Sequence, residues 1–546
     1  MKKILCIVLG ALLLFSVTGC RKKVDNSSNT IEVYVFEGGY GTGWLKAMEP
    51  VFEEKTGYNM EIAVMGSQDN TDTMIRAGES MTTDLFIVSA TVWDKYIDLG
   101  SKVASGYECA IEPLDDVYNA EIDNGTTTVG EKMRDDWREY FYVDETYELG
   151  GHYYSMPWAT GVLTICYNKD IFDANGLDHE PRTTNELLEY CNTLKSNNVK
   201  ALVYSASSRY WDEIFNTWWV QYEGINGREN FFNCRLGDNM PADPNLAMQI
   251  FDQEGIYEAL YTVQQLINPA QGYTIQQSEY IEATAAQIDF FDGKAAMMPN
   301  GDWMENEMSS EVTEGMDIGN ILPMQMPIIS ALSDKLSYWD SSSSYTEARD
   351  QKLLSDAKFK EYDDNLRALV DYVDGKEGAA LPTYGTEEDV KADAAIVAAS
   401  RKVQSSYGTM HSCAIPSYAT AKEAAKEFLI FMASDEGLKI YAENTSGSTP
   451  PFKFDFENWE GYSSMSAFAK KKQEIIDNST IIPAEKKYKT SFVGELSPLY
   501  SNIAIKLGSA DSATIMTAQQ YVNYLKTTQY TQSKLEKIMK DSGLIL

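Results

Sequence analysis

From Ile31 to Phe36 apolar and polar positions alternate and β-branched and aromatic residues prevail, the pattern of a half-buried strand. The strand runs into a turn at Glu37-Gly38-Gly39-Tyr40-Gly41. Over 44–55 the period lengthens: Leu45, Met48, Val51 and Phe52 recur at helical spacing, and Thr56-Gly57 stops the helix. Asn59 to Met65 reads as a strand again. Asp84-Leu85-Phe86-Ile87-Val88 opens on an acid and continues as a short apolar run of the kind buried on both faces of a parallel sheet, with a helix predicted from near Val92. Strand and helix alternating at this spacing predict βαβ units and an α/β fold.

Further along, Tyr154-Ser155-Met156-Pro157-Trp158 leads through a corner into the β-rich run Val162 to Asn168, and Ala201-Leu202-Val203-Tyr204 reads as another strand. Thr217 to Tyr222 reads as an aromatic helix. Residues 287–303 predict a helix end, a Gly turn, a short strand and a Gly loop. Helices are expected around Asn365 to Val373 and Asp389 to Val403. Thr420-Ala421-Lys422-Glu423 has the form of a capping box, opening a helix that buries Ala424, Ala425, Phe428, Leu429 and Met432; a second helix starts at Ser434 with Asp435 and Glu436 at its positive end. Gly447, Pro450 and Pro451 end that pair.

The N-terminus follows a different logic. Lys2 and Lys3, the apolar run Ile4 to Phe15 and the small pair Thr18-Gly19 before Cys20 resemble a bacterial lipoprotein signal. Residues 1–19 are then a signal peptide, and Cys20 is the lipidated mature N-terminus, palmitate being one expected chain. An ordinary signal peptide or an uncleaved membrane helix is the plainer alternative. Residues 20–30, polar and lacking aromatics, form the lipidated end and a flexible tether; ten extended residues reach about 35 Å. The expected location is the extracellular face of a cell membrane, of Gram-positive type.

Length and charge narrow what such an exported chain does. At 546 residues it exceeds the size at which one core keeps growing, which predicts at least two lobes. Against 46 basic residues stand 81 acidic ones, a net charge of −35 that becomes more negative once Lys2 and Lys3 leave. Such a surface repels nucleic acid and anionic lipid, so tethering falls to the lipid and no nucleic-acid partner is expected. Of the 7 cysteines, Cys6 and Cys20 belong to the signal and the lipid. The rest, Cys109, Cys166, Cys191, Cys234 and Cys413, are widely spaced and read mostly as buried hydrophobes, with no CxxC pair and no metal site. The 3 histidines, His152, His179 and His411, are scattered, and no HExxH, GxSxG or GxxxxGK[ST] motif occurs. No cofactor is expected.

Six collinear segments carry a resemblance. Phe290-Phe291-Asp292-Gly293-Lys294-Ala295-Ala296-Met297-Met298-Pro299-Asn300-Gly301-Asp302-Trp303 is the most specific; the others are Phe52 to Gly57, Asp84-Leu85, Met156-Pro157, Tyr167 to Asp170 and the helix pair Ala421 to Tyr441. Together they resemble the extracellular solute-binding proteins of ABC import systems, family 1, the group that contains maltose-binding protein. The resemblance implies two α/β lobes joined by a hinge, with ligand held between them. Carried over by segment, residues 31–161 open lobe one, 162–410 form lobe two including an extra helical stretch over about 330–406, 411–450 return to lobe one, and 451–546 form a C-terminal helical region mainly on lobe two. The crossings fall near Ala159 to Val162 and His411 to Ile415.

The resemblance also nominates ligand-binding residues. Sugars expose apolar C–H faces and hydroxyl edges, so their sites pair aromatic rings with a few polar groups. Trp303 stands at the position of a family tryptophan that stacks on sugar, although a Trp plugging the lobe core has the same signature. Tyr210 falls in a family ligand segment with Arg209, Trp211 and Asp212 beside it. Glu37 and Tyr40 follow the first strand, where loops face the crevice between lobes. Trp158 lies at the crossing, as a ligand contact or as hinge packing, and Trp93 reads as core. Gly161 departs from maltose-binding protein, which carries an acidic sugar-binding residue there.

The expected function is therefore a receptor, not an enzyme. As a monomer it captures a carbohydrate, most simply an oligosaccharide, and delivers it to the transmembrane subunits of an ABC permease. The alternatives are the same role with a peptide, polyol or phosphodiester, or a secreted glycoside hydrolase built on two carboxylates.

Overall fold

The computed structural model describes residues 28–541 and 544–545 except 67–69, 90–92, 94–95, 98–108, 144, 146–148, 277, 310–319, 407–410 and 484–502. The signal, Cys20 and most of the tether lie outside the described residues, as does most of the helix predicted from Val92.

Two sheets organise the chain. The strands that build them are β1 (Thr30–Phe36), β2 (Asn59–Met65), β3 (Leu85–Val88), β4 (Met156–Pro157), β5 (Val162–Asn168), β6 (Met297–Gly301), β7 (Ile321–Pro323), β8 (Val403–Ser406), β9 (Ser412–Ala414) and β10 (Thr480–Pro483). The first sheet runs β2-β1-β3-β9-β4, and the second runs β6-β5-β8-β10 with β7 also on β5. In the first, β1 pairs parallel to β2 and β3, with Val33 opposite Ile62 and Leu85, and β9 returns antiparallel with Cys413 opposite Ile87 and Met156. In the second, Asn300 faces Thr164 and Ser405 faces Leu163. The chain passes between sheets after β4, after β8 and again before β10, so the architecture is two α/β lobes.

Local chemistry explains most elements. Ile31, Val33 and Val35 alternate inward on β1. Helix α1 (Gly43–Thr56) buries Trp44, Leu45, Met48 and Phe52 against that sheet and ends at Gly57, whose φ of 76° lets its N–H reach the Glu53 carbonyl. Each such buried apolar side chain contributes about 1.5–3 kcal/mol. In the second lobe α2 (Tyr210–Phe232) is far longer than its aromatic segment predicts, and is broken at Gly224. Helix α3 (Ala283–Phe291) and β6 fall where the Gly turn predicts them.

The stretch 330–406 packs on lobe two through α4 (Asp356–Val373) and α5 (Glu387–Arg401), whose Leu366, Leu369, Val370 and Val397 join the larger core. α4 begins earlier than its apolar pattern predicts because Ser355 caps it, accepting from the Lys358 N–H. Val403, read as the end of the second helix, instead opens β8. Two further expectations are corrected. Ala201 to Tyr204 is extended, but only Leu202 forms bridges, to Thr274 and Met297. The proposed capping box does not form at α6 (Lys422–Ala433), because Asp84 reaches across from β3. Its Oδ1 accepts the Thr420 and Ala421 N–H groups at 2.7 and 3.0 Å, and its Oδ2 accepts the Glu32 N–H. An acid from a distant strand thus does the work that a local box was expected to do. α7 (Asp435–Glu443) starts where expected, with Ser434 as its cap.

Helix α8 (Ala467–Asp477) lies between lobes: Phe468 joins a cluster of lobe two and Ile476 the core of lobe one. Cys166, Cys191, Cys234 and Cys413 are buried and Cys109 is half-buried, and no disulfide joins any of them to another described residue. No helix among the described residues is long and apolar enough to cross a membrane.

Candidate ligand-binding site

Where the lobes meet, rings from both sides converge. Tyr40, at the end of the turn after β1, lies edge-on to Trp158 at 5.6 Å, to Trp303 at 6.0 Å and to His411 at 5.3 Å. Trp303 in turn lies 5.9 Å from Tyr210. Tyr40 and Trp158 belong to the first lobe and its exit strand; Trp303 follows β6 and Tyr210 opens α2 in the second. All are buried, with 8% exposure at most.

Polar tips tie this cluster across the junction. The Tyr40 hydroxyl donates to Asp302 Oδ1 at 2.5 Å and accepts the Gly161 N–H at 2.9 Å. Asn306 Nδ2 donates to the Gly39 carbonyl at 2.8 Å. The Trp303 ring lies so close to Gly39 that a Cβ there would stand 2.3 Å from Trp303 Cδ1. Trp158 is anchored from behind, stacked on Trp44 at 5.8 Å and donating Nε1 to the Val88 carbonyl at 2.7 Å.

The other nominated residues sit apart. Trp211 turns into the core of lobe two, edge-on to Tyr204. Arg209 adopts a left-handed conformation before α2, φ 61°, and its Nε donates to Asp212 Oδ2 at 3.1 Å. Glu37 is exposed in the turn after β1. Trp93 donates Nε1 to Ser412 Oγ and packs on Phe86 and Tyr96.

Sequence reasoning missed three participants. His411 follows β8 and packs on Tyr40, Trp158 and Trp303; burial lowers its pKa to about 3, so it is neutral at any ordinary pH. No local motif surrounds it. Asp302 lies inside the most specific segment, next to its tryptophan, with no signal of its own. Lys472, on α8, is buried among polar partners of the junction. Gly161, beside His411, has no space for a side chain. Its φ is +67°, and a Cβ would stand 2.6 Å from His411 Nδ1, leaving no room for an acidic side chain.

A separate cavity of about 620 Å³ lies on lobe two, between the ends of α4 and α5 and α8. Its Arg182 is already bound to Glu186 and Asp371, and its Arg401 to Asp374, the arrangement of a salt-bridged seam. Among the described residues no group of three or more His, Cys, Asp or Glu side chains is placed to hold a metal ion.

The sequence of residues 38–327, more than half of the chain, matches the family model of the bacterial extracellular solute-binding proteins. The chain belongs to that family. Its members are solute-binding proteins, in keeping with a junction built of rings and hydrogen bonds. No curated protein matches the sequence. Solved structures similar to this solute-binding protein include the GacH receptor of Streptomyces glaucescens, determined unliganded and with acarbose (TM-score 0.57, 14% identity, 94% of this chain and 99% of that one). A chitin oligosaccharide binding protein is also similar (TM-score 0.55, 14% identity, 92% and 98%), as is maltose-bound MalE3 of T. maritima (TM-score 0.52, 15% identity, 91% and 100%). At such identities these likenesses establish the two-lobed fold of the solute-binding protein, and its ligand is a matter for its own residues.

Proposed function

We propose that this solute-binding protein is a lipid-anchored receptor that captures an oligosaccharide between its lobes and hands it to an ABC permease. The observation that carries the reading is the meeting of Tyr40, Trp158, Trp303 and Tyr210 from both lobes around polar groups. Ring faces suit the C–H faces of pyranoses, and the hydroxyl, carboxylate and amide groups suit their edges. The structural neighbours named above, seen with acarbose or maltose or named for chitin oligosaccharide, support a sugar ligand. The lobes part about the crossings after β4 and β8, and ligand enters between Tyr40 and Trp303. Glu37 and Arg209, at the ends of the turns that carry Tyr40 and Tyr210, are proposed as rim contacts. Cys20 carries the lipid, and a tether of ten residues keeps the receptor within about 35 Å of the membrane.

A thermal-shift panel of mono- and oligosaccharides against peptides and polyols tests the ligand class, since a ligand that binds only the folded state raises its apparent stability. An oligosaccharide should bind with a micromolar or tighter Kd, about −8 kcal/mol. Trp303→Ala should weaken it by roughly ten- to a hundredfold while the protein stays folded. Unchanged affinity would remove Trp303 from the site, and a shift with peptides alone would overturn the sugar reading. Cys20→Ala should leave sugar binding intact and release the protein from the membrane fraction; retention there would refute the anchor.

A further inference from the structure

Two ionisable groups lie beneath the aromatic junction, shut away from solvent. Asp302 immediately precedes Trp303; its Oδ1 accepts the Tyr40 hydroxyl, while its Oδ2 is buried with no hydrogen-bond partner among the described residues. Lys472 reaches in from α8. Its Nζ donates to Ser448 Oγ at 2.8 Å and lies 3.4 Å from the carbonyls of both Ser446 and Asp302. Ser446 and Ser448 belong to the segment leaving the first lobe after α7, so one ammonium ties that segment to the residue before Trp303. Beside the two groups is a cavity of about 10 Å³, bounded also by Val162 and Thr164, room for about one water.

We propose that Asp302 and Lys472 are positioning residues of the cleft: Asp302 holds the Tyr40 hydroxyl across the lobe junction, and the buried Lys472 ammonium supplies the charge that lets Asp302 do so as a carboxylate. The proposal rests on the reading that ligand is held between the lobes at this junction. A carboxylate accepting from a hydroxyl makes a stronger link than a neutral acid does, but a carboxylate buried alone is costly. Lys472 offsets that cost from a helix outside the cleft.

The electrostatics agree with the geometry. Burial pushes the Asp302 carboxyl up to about 6, with the charge of Lys472 the largest influence opposing it and the Tyr40 hydrogen bond the next. Burial lowers the Lys472 ammonium in turn, opposed by Asp302 and Glu305. The other titratable groups facing the pair are Tyr40 and Tyr441 of the first lobe and Cys166 of β5, each driven toward its neutral form by burial and further by the charge of Asp302. His411, against Tyr40, is neutral. When the lobes part, Asp302 meets water and returns toward its ordinary value. The closed form then holds more protons than the open one between that value and about pH 6. Closure takes up a proton, so it strengthens as pH falls through this range and levels off below it. Without Lys472 the closed-form value climbs further, so closure goes on weakening to higher pH.

Small-angle scattering of the mature protein without added sugar, from about pH 4.5 to pH 8, reads lobe opening directly. The radius of gyration of the wild type should be smaller near pH 5 than near pH 8. Asp302→Asn should flatten that course, and Lys472→Met should follow it up to about pH 6 and then go on opening for about one further pH unit. Titrated with maltotriose, chitotriose and xylotriose, Lys472→Met should bind whichever sugar the wild type binds roughly tenfold more weakly at pH 8 and recover affinity as pH falls. A flat wild-type course, or the same course in Asp302→Asn as in the wild type, overturns the proposal. Should Lys472→Met not fold, Lys472→Arg keeps the charge, and a wild-type midpoint is then required of it. If none of the three sugars binds while the scattering behaves as described, the sugar reading fails and the positioning pair stands.

Discussion

Two aromatic clusters of this protein are almost equally buried, and they differ in where their polar tips point. In the core of lobe two, Trp219 packs on Phe231 at 5.0 Å and donates Nε1 to Gln253, while Trp218 donates to the Pro327 carbonyl at 3.0 Å. Every partner is in the same lobe. At the junction, Tyr40 donates from lobe one to Asp302 of lobe two, and Asn306 of lobe two donates to the Gly39 carbonyl of lobe one. Burial therefore does not distinguish a core from a closed cleft. The useful criterion is whether the hydrogen bonds that fix the rings would break on a rigid-body separation of the lobes, since only such bonds can be exchanged for ligand.

Three substitutions sharpen that comparison. The largest effect is expected for Trp219→Ala, which leaves a cavity in a core with no means of opening. It should cost about 3–5 kcal/mol in denaturant unfolding while the folded fraction keeps wild-type sugar affinity. A loss of affinity at constant stability would mean that the two clusters are coupled. Gly161→Asp comes next: a side chain at φ +67° facing His411 should cost about 2 kcal/mol and also weaken closure, so denaturation midpoint and affinity should fall together. Tyr40→Phe is the smallest, about 1–2 kcal/mol, because it removes one hydroxyl and keeps the ring. Its cost should appear in ligand affinity more than in the unfolding midpoint, and the reverse result would assign Tyr40 to the core after all.

The pH dependence of stability follows the same division. Asp302 is raised in the folded protein, so it lowers stability as pH rises from the ordinary aspartate range through about 6. Glu186, buried but held well below its ordinary value by its hydrogen bonds from Arg182 and His179, is outside the titration range of the junction. Its stabilising contribution is complete above the ordinary glutamate value and is lost as pH falls below it. Unfolding midpoints of wild type and Asp302→Asn should therefore diverge between about pH 4 and pH 6 and run parallel at lower pH.

Much of this was legible along the chain. β1, α1, β2 and β3 fell where their periods placed them, since Ile31, Val33 and Val35 on one face and Leu45, Met48 and Phe52 on another record a one-sided burial. The segment ending at Trp303 carries that ring to the junction between the lobes. Trp211, adjacent to Tyr210, was nominated with it, yet successive helical residues point about 100° apart and only Tyr210 reaches the junction. The capping of α6 misled for a related reason: Thr420 and Glu423 have the right spacing, but Asp84 arrives with a better-placed carboxylate from 336 positions earlier.

By itself, then, the sequence determined the α/β class, the order of the elements, the two-lobe expectation from size and the family to which the chain belongs. The tertiary structure decided which rings meet, that His411 and Lys472 join them, and that Gly161 admits no side chain. The reason is range. Periodicity and capping report interactions between residues a few positions apart, whereas the bond that closes the junction, Tyr40 to Asp302, joins residues 262 positions apart and exists only once both lobes have folded.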